Sequence, residues 1–202
     1  MGLFFLLIFA YLIGAIPTGI ILTKITGGED LRSVGSGNIG ATNVYRTAGR
    51  KMGLITLAGD TLKGLLPTLI ALAFGIQGAE LATIGLVALL GHCYPAYIGF
   101  KGGKGVATAL GAFLVISPGS VLLALALFLV VLGQWRYISL ASISAAAVIP
   151  YLVLLIEHSM MSFFISFCMA ALVIYRHREN IERLLSKIEN KFSLYDIALC
   201  FS

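Results

Sequence analysis

The stretch GHCYPAYIGFKGGKGVAT, residues 91–108, interrupts an apolar chain and decides how the rest is arranged. It carries five glycines and two lysines, and the residues from Val106 onward read as the first turn of a helix. Glycine lets backbone N–H groups approach an anion, and a helix start adds unpaired donors and the positive end of its dipole. The stretch therefore predicts a phosphate site, with a flexible turn carrying interfacial lysines as the alternative.

The stretch is not a nucleotide-binding P-loop, because GxxxxGK[ST] would need glycine at Ile98 and a hydroxyl residue at Gly105. The sequence also contains no HxxxxD motif, no GxSxG nucleophile elbow and no cluster with metal-ligand spacing. We therefore expect no metal or cofactor, and a reaction whose substrate is already activated.

The composition places the chain in a membrane. Of its 202 residues, 59% are hydrophobic and only 11% charged, and the mean hydropathy is +0.99. Too few polar residues remain to cover a soluble globule. The charged residues that give the net charge of +5 lie between apolar segments. Orientation of the chain in the membrane explains them better than binding to nucleic acid. The three cysteines, Cys93, Cys168 and Cys200, lack CxxC spacing and are expected to be unbonded.

Seven apolar segments follow one another along the chain. They are residues 2–25, 52–74, 80–98, 105–117, 120–133, 137–156 and 160–175. Pro17 is expected to bend the first, and Pro95 to break the third. The fourth and fifth segments measure only about 20 Å each against a hydrocarbon core of about 30 Å. They are either two short helices or one bent span.

Charge distribution favours two helices. Thirteen of the fourteen basic residues then lie on one face, with Lys63 alone inside a span, whereas a single span would move Arg136 and the basic tail to the opposite side. We predict one domain, residues 1–202, forming an all-α integral membrane protein. It has about seven transmembrane helices, two of them short, with the N-terminus outside and the C-terminus cytoplasmic. Residues 176–202 form a cytoplasmic tail whose Ile181, Leu184, Leu185 and Ile188 predict an amphipathic helix.

The loop after the first segment is a second candidate anion site. Small hydroxyl and amide side chains lie among its glycines and precede Arg46, and such donors suit a phosphate. They are Ser36, Asn38, Thr42 and Asn43. The alternative is a turn and a capped helix whose basic residues touch lipid headgroups.

Several polar residues lie within or beside the apolar segments. Asp60 and Lys63, one helical turn apart, are expected to pair structurally rather than to move protons or ions. His92 is interpreted as a structural interior histidine. Ser139 and Ser142 lie at the start of the sixth segment, where helix packing alone could account for them.

Three motifs together resemble those of the bacterial membrane enzymes that transfer an acyl group from acyl phosphate to glycerol 3-phosphate. They are SGNIGATNVYR at residues 36–46, the glycine stretch at 91–108, and RHRENIERL at 176–184. The third departs from the family pattern, with Lys187 where a glycine is expected before Glu189. The resemblance implies activity roles for Ser36, Arg46, His177 and Asn180, and a structural role for Glu189.

Because two phosphates side by side repel, cations must lie between them, and we add Lys104 to the catalytic group. The glycerol 1-hydroxyl is expected to attack the acyl carbonyl directly, with Ser36, Lys104 and backbone amides holding the departing phosphate. The remaining expected substrate contacts are Gly37, Asn38, Thr42, Asn43, Lys101, Gly102, Gly103, Gly105, Thr108 and Ser142. The acyl chain is expected at a lateral opening beside the two short helices.

The resemblance implies acyl phosphate, glycerol 3-phosphate and membrane lipid as partners, at the cytoplasmic face of the inner membrane. Two alternative functions also fit parts of the sequence. A phosphate or organic-anion transporter would account for Asp60 and Lys63, although no inverted repeat is visible. A membrane scaffold with a basic face would bind anionic lipid, but it would not need glycine motifs at fixed places.

Overall fold

The computed structural model describes residues 2–192, and this part of the chain contains helices and no strand. The α-helices are α1 (Gly2–Gly14), α2 (Thr18–Ile25), α3 (Ala41–Ala48), α4 (Arg50–Ala73), α5 (Gly78–Cys93), α6 (Val106–Ile116), α7 (Pro118–Trp135), α8 (Ile138–Glu157), α9 (Met160–Arg176) and α10 (Arg178–Leu185). A short 3-10 turn, Ala96–Ile98, follows α5. The all-helical prediction is confirmed.

Helix lengths set limits on the number of spans. Within residues 2–192, four helices are long and apolar enough to cross a membrane: α4, α5 with its 3-10 extension, α7 and α8. The number rises to six if the pair α1 and α2, bent by 42°, and the pair α9 and α10, bent by 56°, each form one span. The first bend lies at the predicted Pro17 break, where proline removes a helical hydrogen bond.

The fourth and fifth apolar segments form two separate helices, as predicted, but only one of them is short. Helix α6 has 11 residues, whereas α7 has 18. The expectation of a short α7 was wrong because the helix begins at Pro118 and continues to Trp135. Proline suits the first position of a helix, since the N–H it lacks would be unpaired there in any case.

Glycines bring the central helices into backbone contact. A Cβ atom at Gly64 of α4 would overlap the backbone of Thr108 and Ala112 in α6, and one at Gly111 of α6 would overlap Thr61 in α4. Helices α1 and α5 meet in the same reciprocal way through Gly14 and Gly91. Small residues at crossings are typical of membrane helices, where close backbone approach provides much of the attraction.

The amphipathic tail is shorter than its sequence pattern predicts. Helix α10 ends at Leu185, and Lys187 takes a positive φ of 58°, which turns the chain away before Ile188. The side chains of Leu185 and Ile188 are exposed, so the predicted apolar stripe is not buried as one helix face. The chain then folds back, and the Phe192 N–H donates to the carbonyl of Arg136 at 2.7 Å.

The cysteine prediction is confirmed within the described residues, where Cys93 and Cys168 are both free. The predictions for Cys200 and for the tail beyond residue 192 lie outside them.

Candidate active site

A polar cavity of about 120 Å³ lies where the three motifs meet, at one end of the helix bundle. It is lined by Ser36, Gly37, Asn38, Gly102, Lys104, Arg176, Arg178 and Glu179. The first motif contributes its first three residues, the glycine stretch two, and the third motif three. Residues far apart in sequence therefore form one site, and three of the lining side chains are cationic.

Asn43 holds the first loop in shape. Its Oδ1 accepts from the Ser36 N–H at 2.8 Å, while its Nδ2 donates to the carbonyls of Leu31 and Val34. The side chain is buried and fully engaged. We therefore correct its expected role from substrate contact to scaffold of the loop that presents Ser36. Asn38 Oδ1 accepts from the Gly40 N–H at 2.8 Å and so braces the turn before α3.

The backbone amides of the glycine stretch do not form the expected anion cradle. The N–H of Gly102 donates to the carbonyl of Cys93, and the N–H of Gly103 to the carbonyl of His92, both at 3.2 Å. Those carbonyls belong to the last turn of α5, which leaves its final carbonyls without helical partners. The expected amide contacts of Gly102 and Gly103 were therefore wrong, because both donors are used to cap α5.

Arg176 is a site residue that the sequence reasoning missed. Its Nε donates to the Gly103 carbonyl at 3.0 Å and its Nη2 to the Gly102 carbonyl at 2.6 Å. Its guanidinium also lies 5.4 Å from the centroid of the Tyr94 ring. Its place as the first residue of the third motif was the available signal, but sequence gave no reason to pair it with glycine carbonyls.

Lys104 of the second motif and Asn180 of the third are joined in one hydrogen-bonded network. Lys104 Nζ donates to Asn180 Oδ1, and Asn180 Nδ2 donates to Glu189 Oε1 at 2.7 Å. The same carboxylate accepts from Ser139 Oγ and from Arg183 Nε, each at 2.7 Å. Burial raises the pKa of Glu189, but the bonds from Arg183, Ser139 and Asn180 outweigh it and hold that pKa below its ordinary value.

The charge of Lys104 is sensitive to its surroundings. Burial is the largest cause that lowers the pKa of its ammonium to about 8, with contributions in the same direction from the positive charges of Arg183 and, to a smaller extent, Arg46. Glu189 and Glu179 act in the opposite direction. Arg46 itself is an exposed residue of α3 that does not line the cavity. Lys104 is thus a cavity-lining cation whose pKa lies below that of an ordinary lysine.

His177 lies at the junction of α9 and α10 and is buried. Its Nδ1 is 2.7 Å from the Val173 carbonyl, and since a carbonyl only accepts, this nitrogen carries the proton. Burial lowers the pKa of His177 to about 4, so the imidazole is neutral at pH 7 and its Nε2 is unprotonated. The contact with the Val173 carbonyl thus favours the neutral imidazole protonated on Nδ1.

A buried polar cluster lies within the bundle. Lys63 Nζ donates to Asp60 Oδ1 at 2.5 Å, and His92 Nδ1 lies 3.9 Å from the same oxygen. The three side chains are almost completely buried, and a Cβ atom at Gly103 would overlap the His92 imidazole. Asp60 and Lys63 pair with each other as the sequence interpretation expected, and His92 connects the pair to the glycine stretch.

Other expected substrate contacts lie away from the cavity. The Thr108 hydroxyl donates to the Asp60 carbonyl across the α4–α6 contact, and the Ser142 hydroxyl donates to Ile138 within α8. Both are corrected to helix-packing roles because their only hydroxyl donor is already used. Four further residues also do not line the cavity: Thr42, Lys101, Gly103 and Gly105. Gly105 instead caps α6 with a positive φ of 82° that favours glycine.

The fold and the site define a helical membrane protein with a cationic, anion-sized cavity at one end of its bundle. Comparison with known proteins identifies the family. The family model described as glycerol-3-phosphate acyltransferase matches residues 4–187. Relatives named glycerol-3-phosphate acyltransferase include one from Geotalea daltonii, 58% identical over 93% of this chain and 96% of the relative. Another, from Syntrophotalea carbinolica, is 53% identical over 94% of this chain and 97% of the relative.

Two solved structures are also similar. Both are crystal structures of PlsY (YgiH), an integral membrane glycerol 3-phosphate acyltransferase. The glycerol 3-phosphate form superposes with a TM-score of 0.92 at 45% identity, covering 98% of this chain and 99% of that one. The lysophosphatidic acid form gives a TM-score of 0.90 at 43% identity, covering 98% and 100%. The chain belongs to the glycerol-3-phosphate acyltransferase family and is a multi-pass membrane protein.

Proposed function

We propose that this protein transfers an acyl group from acyl phosphate to the 1-hydroxyl of glycerol 3-phosphate, giving lysophosphatidate and inorganic phosphate for phospholipid synthesis. The observation that carries the proposal is the cavity where Ser36, Lys104, Arg176 and Arg178 meet at the end of an apolar bundle. Family membership supports the acceptor, and the lysophosphatidic acid form of the related PlsY supports the product.

The cavity suits two anionic substrates. Each substrate brings a phosphate, and two phosphates close together repel strongly unless cations lie beside them. Because the Gly102 and Gly103 amides are engaged elsewhere, side chains supply the positive charge. Arg176, Arg178 and Lys104 line the same cavity as the first loop. Phosphate binding by cationic side chains therefore replaces the amide cradle in our mechanism.

The reaction needs no covalent enzyme intermediate. The glycerol hydroxyl oxygen bonds to the acyl carbon, the bond from that carbon to the phosphate oxygen breaks, and phosphate leaves with the electron pair. The hydroxyl proton passes to a phosphate oxygen. A phosphate dianion, with a second pKa of about 6, is a stronger base than His177, whose pKa burial lowers to about 4. We infer that His177, which is buried and does not line the cavity, is a positioning residue at the α9–α10 junction rather than the group that removes the proton.

The test of this role is His177→Ala. We expect a loss of turnover that exogenous imidazole does not restore, because the missing group is a positioning contact held at Val173. A fall by the 10²- to 10⁴-fold typical of losing a general base, together with rescue by imidazole, would assign the proton transfer to His177 instead.

The acyl chain has an apolar path beside the cavity. A groove of about 550 Å³ lies between α8 and α9, whereas the sequence interpretation expected an opening beside α6 and α7. Its lining includes Ala147, Pro150, Phe167, Ala171 and Tyr175. The Tyr175 ring also lies 5.1 Å from the guanidinium of Arg178, which lines the polar cavity. A substrate with an anionic head and an apolar tail can therefore occupy both.

Filling the groove tests this path. Ala171→Phe should reduce kcat/KM for acyl phosphates increasingly as the chain lengthens, while a short-chain donor is little affected. Ala126→Phe on α7 is the matched control, since Ala126 is another exposed alanine outside the groove. Equal losses at every chain length would place the acyl chain elsewhere.

We further infer seven membrane-spanning segments, counting α6 as a short one, with the N-terminus outside and the cavity and C-terminus at the cytoplasmic face of the inner membrane. The charge asymmetry of the loops supports this orientation. Cysteine labelling from either side of a cysteine-free variant would check it. The variant Lys51→Cys, at the start of α4, should react only from the cytoplasmic side.

One assay tests the activity itself. Purified protein in detergent is supplied with acyl phosphate and glycerol 3-phosphate, and both lysophosphatidate and free phosphate are measured. Equal amounts of the two products are expected. Phosphate without lysophosphatidate would indicate a hydrolase, and anion flux into vesicles without acyl transfer would indicate a transporter.

A further inference from the structure

We propose that Arg176 is a positioning residue that fixes Lys104 at the edge of the anion cavity by clamping the two peptide groups before it. The kinetic part of the inference rests on the proposed acyl transfer, whereas its structural part does not. Arg176 ends α9, so the clamp connects the third motif directly to the glycine stretch.

The glycine stretch is held from two sides. On one side, the N–H groups of Gly102 and Gly103 donate to the end of α5. On the other, the Nε and Nη2 of Arg176 donate to the carbonyls of the same two glycines. The peptide groups of both glycines are thus engaged through donor and acceptor alike, and the residue that follows them is Lys104.

The guanidinium suits this clamp for a geometric reason. Two consecutive carbonyls need two donors in a fixed arrangement, which the planar fork of arginine provides and the single ammonium of lysine does not. The Tyr94 ring, 5.4 Å from the guanidinium carbon, holds the plane of the fork. A lysine at this position would keep the positive charge at the cavity wall but lose the paired contact.

Loss of the clamp should act through Lys104. Its ammonium is partly buried and bonded to Asn180 Oδ1, so release of the glycine stretch lets it move toward solvent. Misplacement of a reacting group by about 1 Å costs roughly 10²-fold in rate. Besides Arg176 itself, the charged and titratable groups around Lys104 are Arg46, His177, Arg178, Glu179, Arg183 and Glu189, and none of them changes in the variant.

The decisive variant is Arg176→Lys. We expect kcat to fall about 10²-fold and KM for glycerol 3-phosphate to rise about tenfold or more. The basic limb of the pH profile should move to higher pH as Lys104 becomes more solvated. Hydrogen exchange of the peptide covering residues 99–108 should quicken, because the Gly102 and Gly103 amides lose their support. The exchange measurement needs no substrate.

Arg178→Lys is the matched control. Arg178 lines the same cavity and receives the same substitution, but it contacts the Tyr175 ring and Glu179 rather than the glycine carbonyls. Exchange at residues 99–108 should match the wild-type protein in this control. If Arg176→Lys is not recovered as monodisperse protein, Tyr94→Leu keeps the fork and should give the same changes in weaker form.

Two results would overturn the proposal. If Arg176→Lys leaves both the exchange and the pH limb unchanged while activity falls, then Arg176 acts only through its own contact with substrate at the cavity wall and not through the clamp on Lys104. If activity and exchange both stay at the wild-type level, the clamp has no function. If the wild-type protein shows no acyl transfer, the proposed reaction is refuted. The hydrogen-exchange comparison would then still test the structural clamp, because it needs no substrate.

Discussion

Replacement of Gly103 by alanine should strongly reduce the activity of the protein, and truncation of His92 should partly restore it. A Cβ atom at Gly103 would lie well inside 3.0 Å of His92 Nε2, closer than real Cβ atoms approach their neighbours. The imidazole is buried beside Asp60 and has little room to move. Gly103 does not have a positive φ, so the penalty arises from the clash and not from backbone strain.

The size of the effect follows from this geometry. Inserting one methyl group into a packed region costs about 1–3 kcal/mol. The glycine stretch is the part that can yield, and a shift of about 1 Å at the adjoining Lys104 predicts a loss of roughly 10²-fold in kcat/KM. His92→Ala removes the clashing ring but keeps the backbone carbonyl that accepts from Gly103. The double variant should therefore be at least about tenfold more active than Gly103→Ala.

The cycle is measured as initial rates of lysophosphatidate formation by purified single and double variants. Gly102→Ala provides the internal comparison, because its Cβ would meet the backbone carbonyls of His92 and Cys93, which no side-chain truncation removes. Its combination with His92→Ala should stay inactive. Gly133→Ala, with open space around it, should behave as wild type. A monodisperse double variant no more active than Gly103→Ala would refute the steric explanation.

Three further predictions concern the charges around the site. At pH values above about 8, KM for glycerol 3-phosphate should increase, because Lys104 loses its proton. Lys104→Arg should abolish this increase even if kcat is lower. An increase that persists in the variant would have to come from another group. Glu189→Gln should lower the free energy of unfolding by about 1–3 kcal/mol, seen as a lower unfolding temperature. It should also move the rise in KM that follows Lys104 deprotonation to lower pH. Because the pKa of Glu189 is lowered in the folded protein, the stability difference should be full at neutral pH and shrink as pH falls below the ordinary value of 4.5; a pH-independent difference would contradict the network. Asp60→Asn should cost about 3–5 kcal/mol by leaving Lys63 buried and unpaired, and the Asp60→Leu, Lys63→Met double variant should be less destabilised than the single one in thermal unfolding.

Hydrophobic patterning predicted the elements of the fold well. Long apolar runs are read directly from composition, and every predicted apolar segment is mainly helical. Helix ends were less predictable. Pro118 lies between the two segments predicted as short helices, 105–117 and 120–133, yet it begins α7, because proline suits the first turn of a helix. The end of α10 depends on the positive φ of Lys187, which the pattern of side chains does not predict.

The three motifs of the site were identified from sequence, but the direction of their polar groups was not. Asn43, Thr108 and Ser142 have hydrogen-bonding side chains that suit a phosphate, and all three bond to backbone groups instead. The amides of the glycine stretch are likewise used by α5. Sequence indicates which donors exist. It does not indicate which buried backbone groups compete for them, and this competition is what placed Arg176 in the site.

The reciprocal glycine contact between α4 and α6 has a consequence for biosynthesis. An 11-residue helix covers only about 17 Å of a hydrocarbon core about 30 Å thick, so α6 is a poor candidate for independent insertion. Gly64 and Gly111 give it a backbone partner that emerges from the ribosome earlier. Glycines that do not line the cavity thus allow α6 to insert against α4, which is synthesised before it. A bulky side chain at Gly64 would therefore lower the yield of membrane-inserted protein, whatever its effect on catalysis.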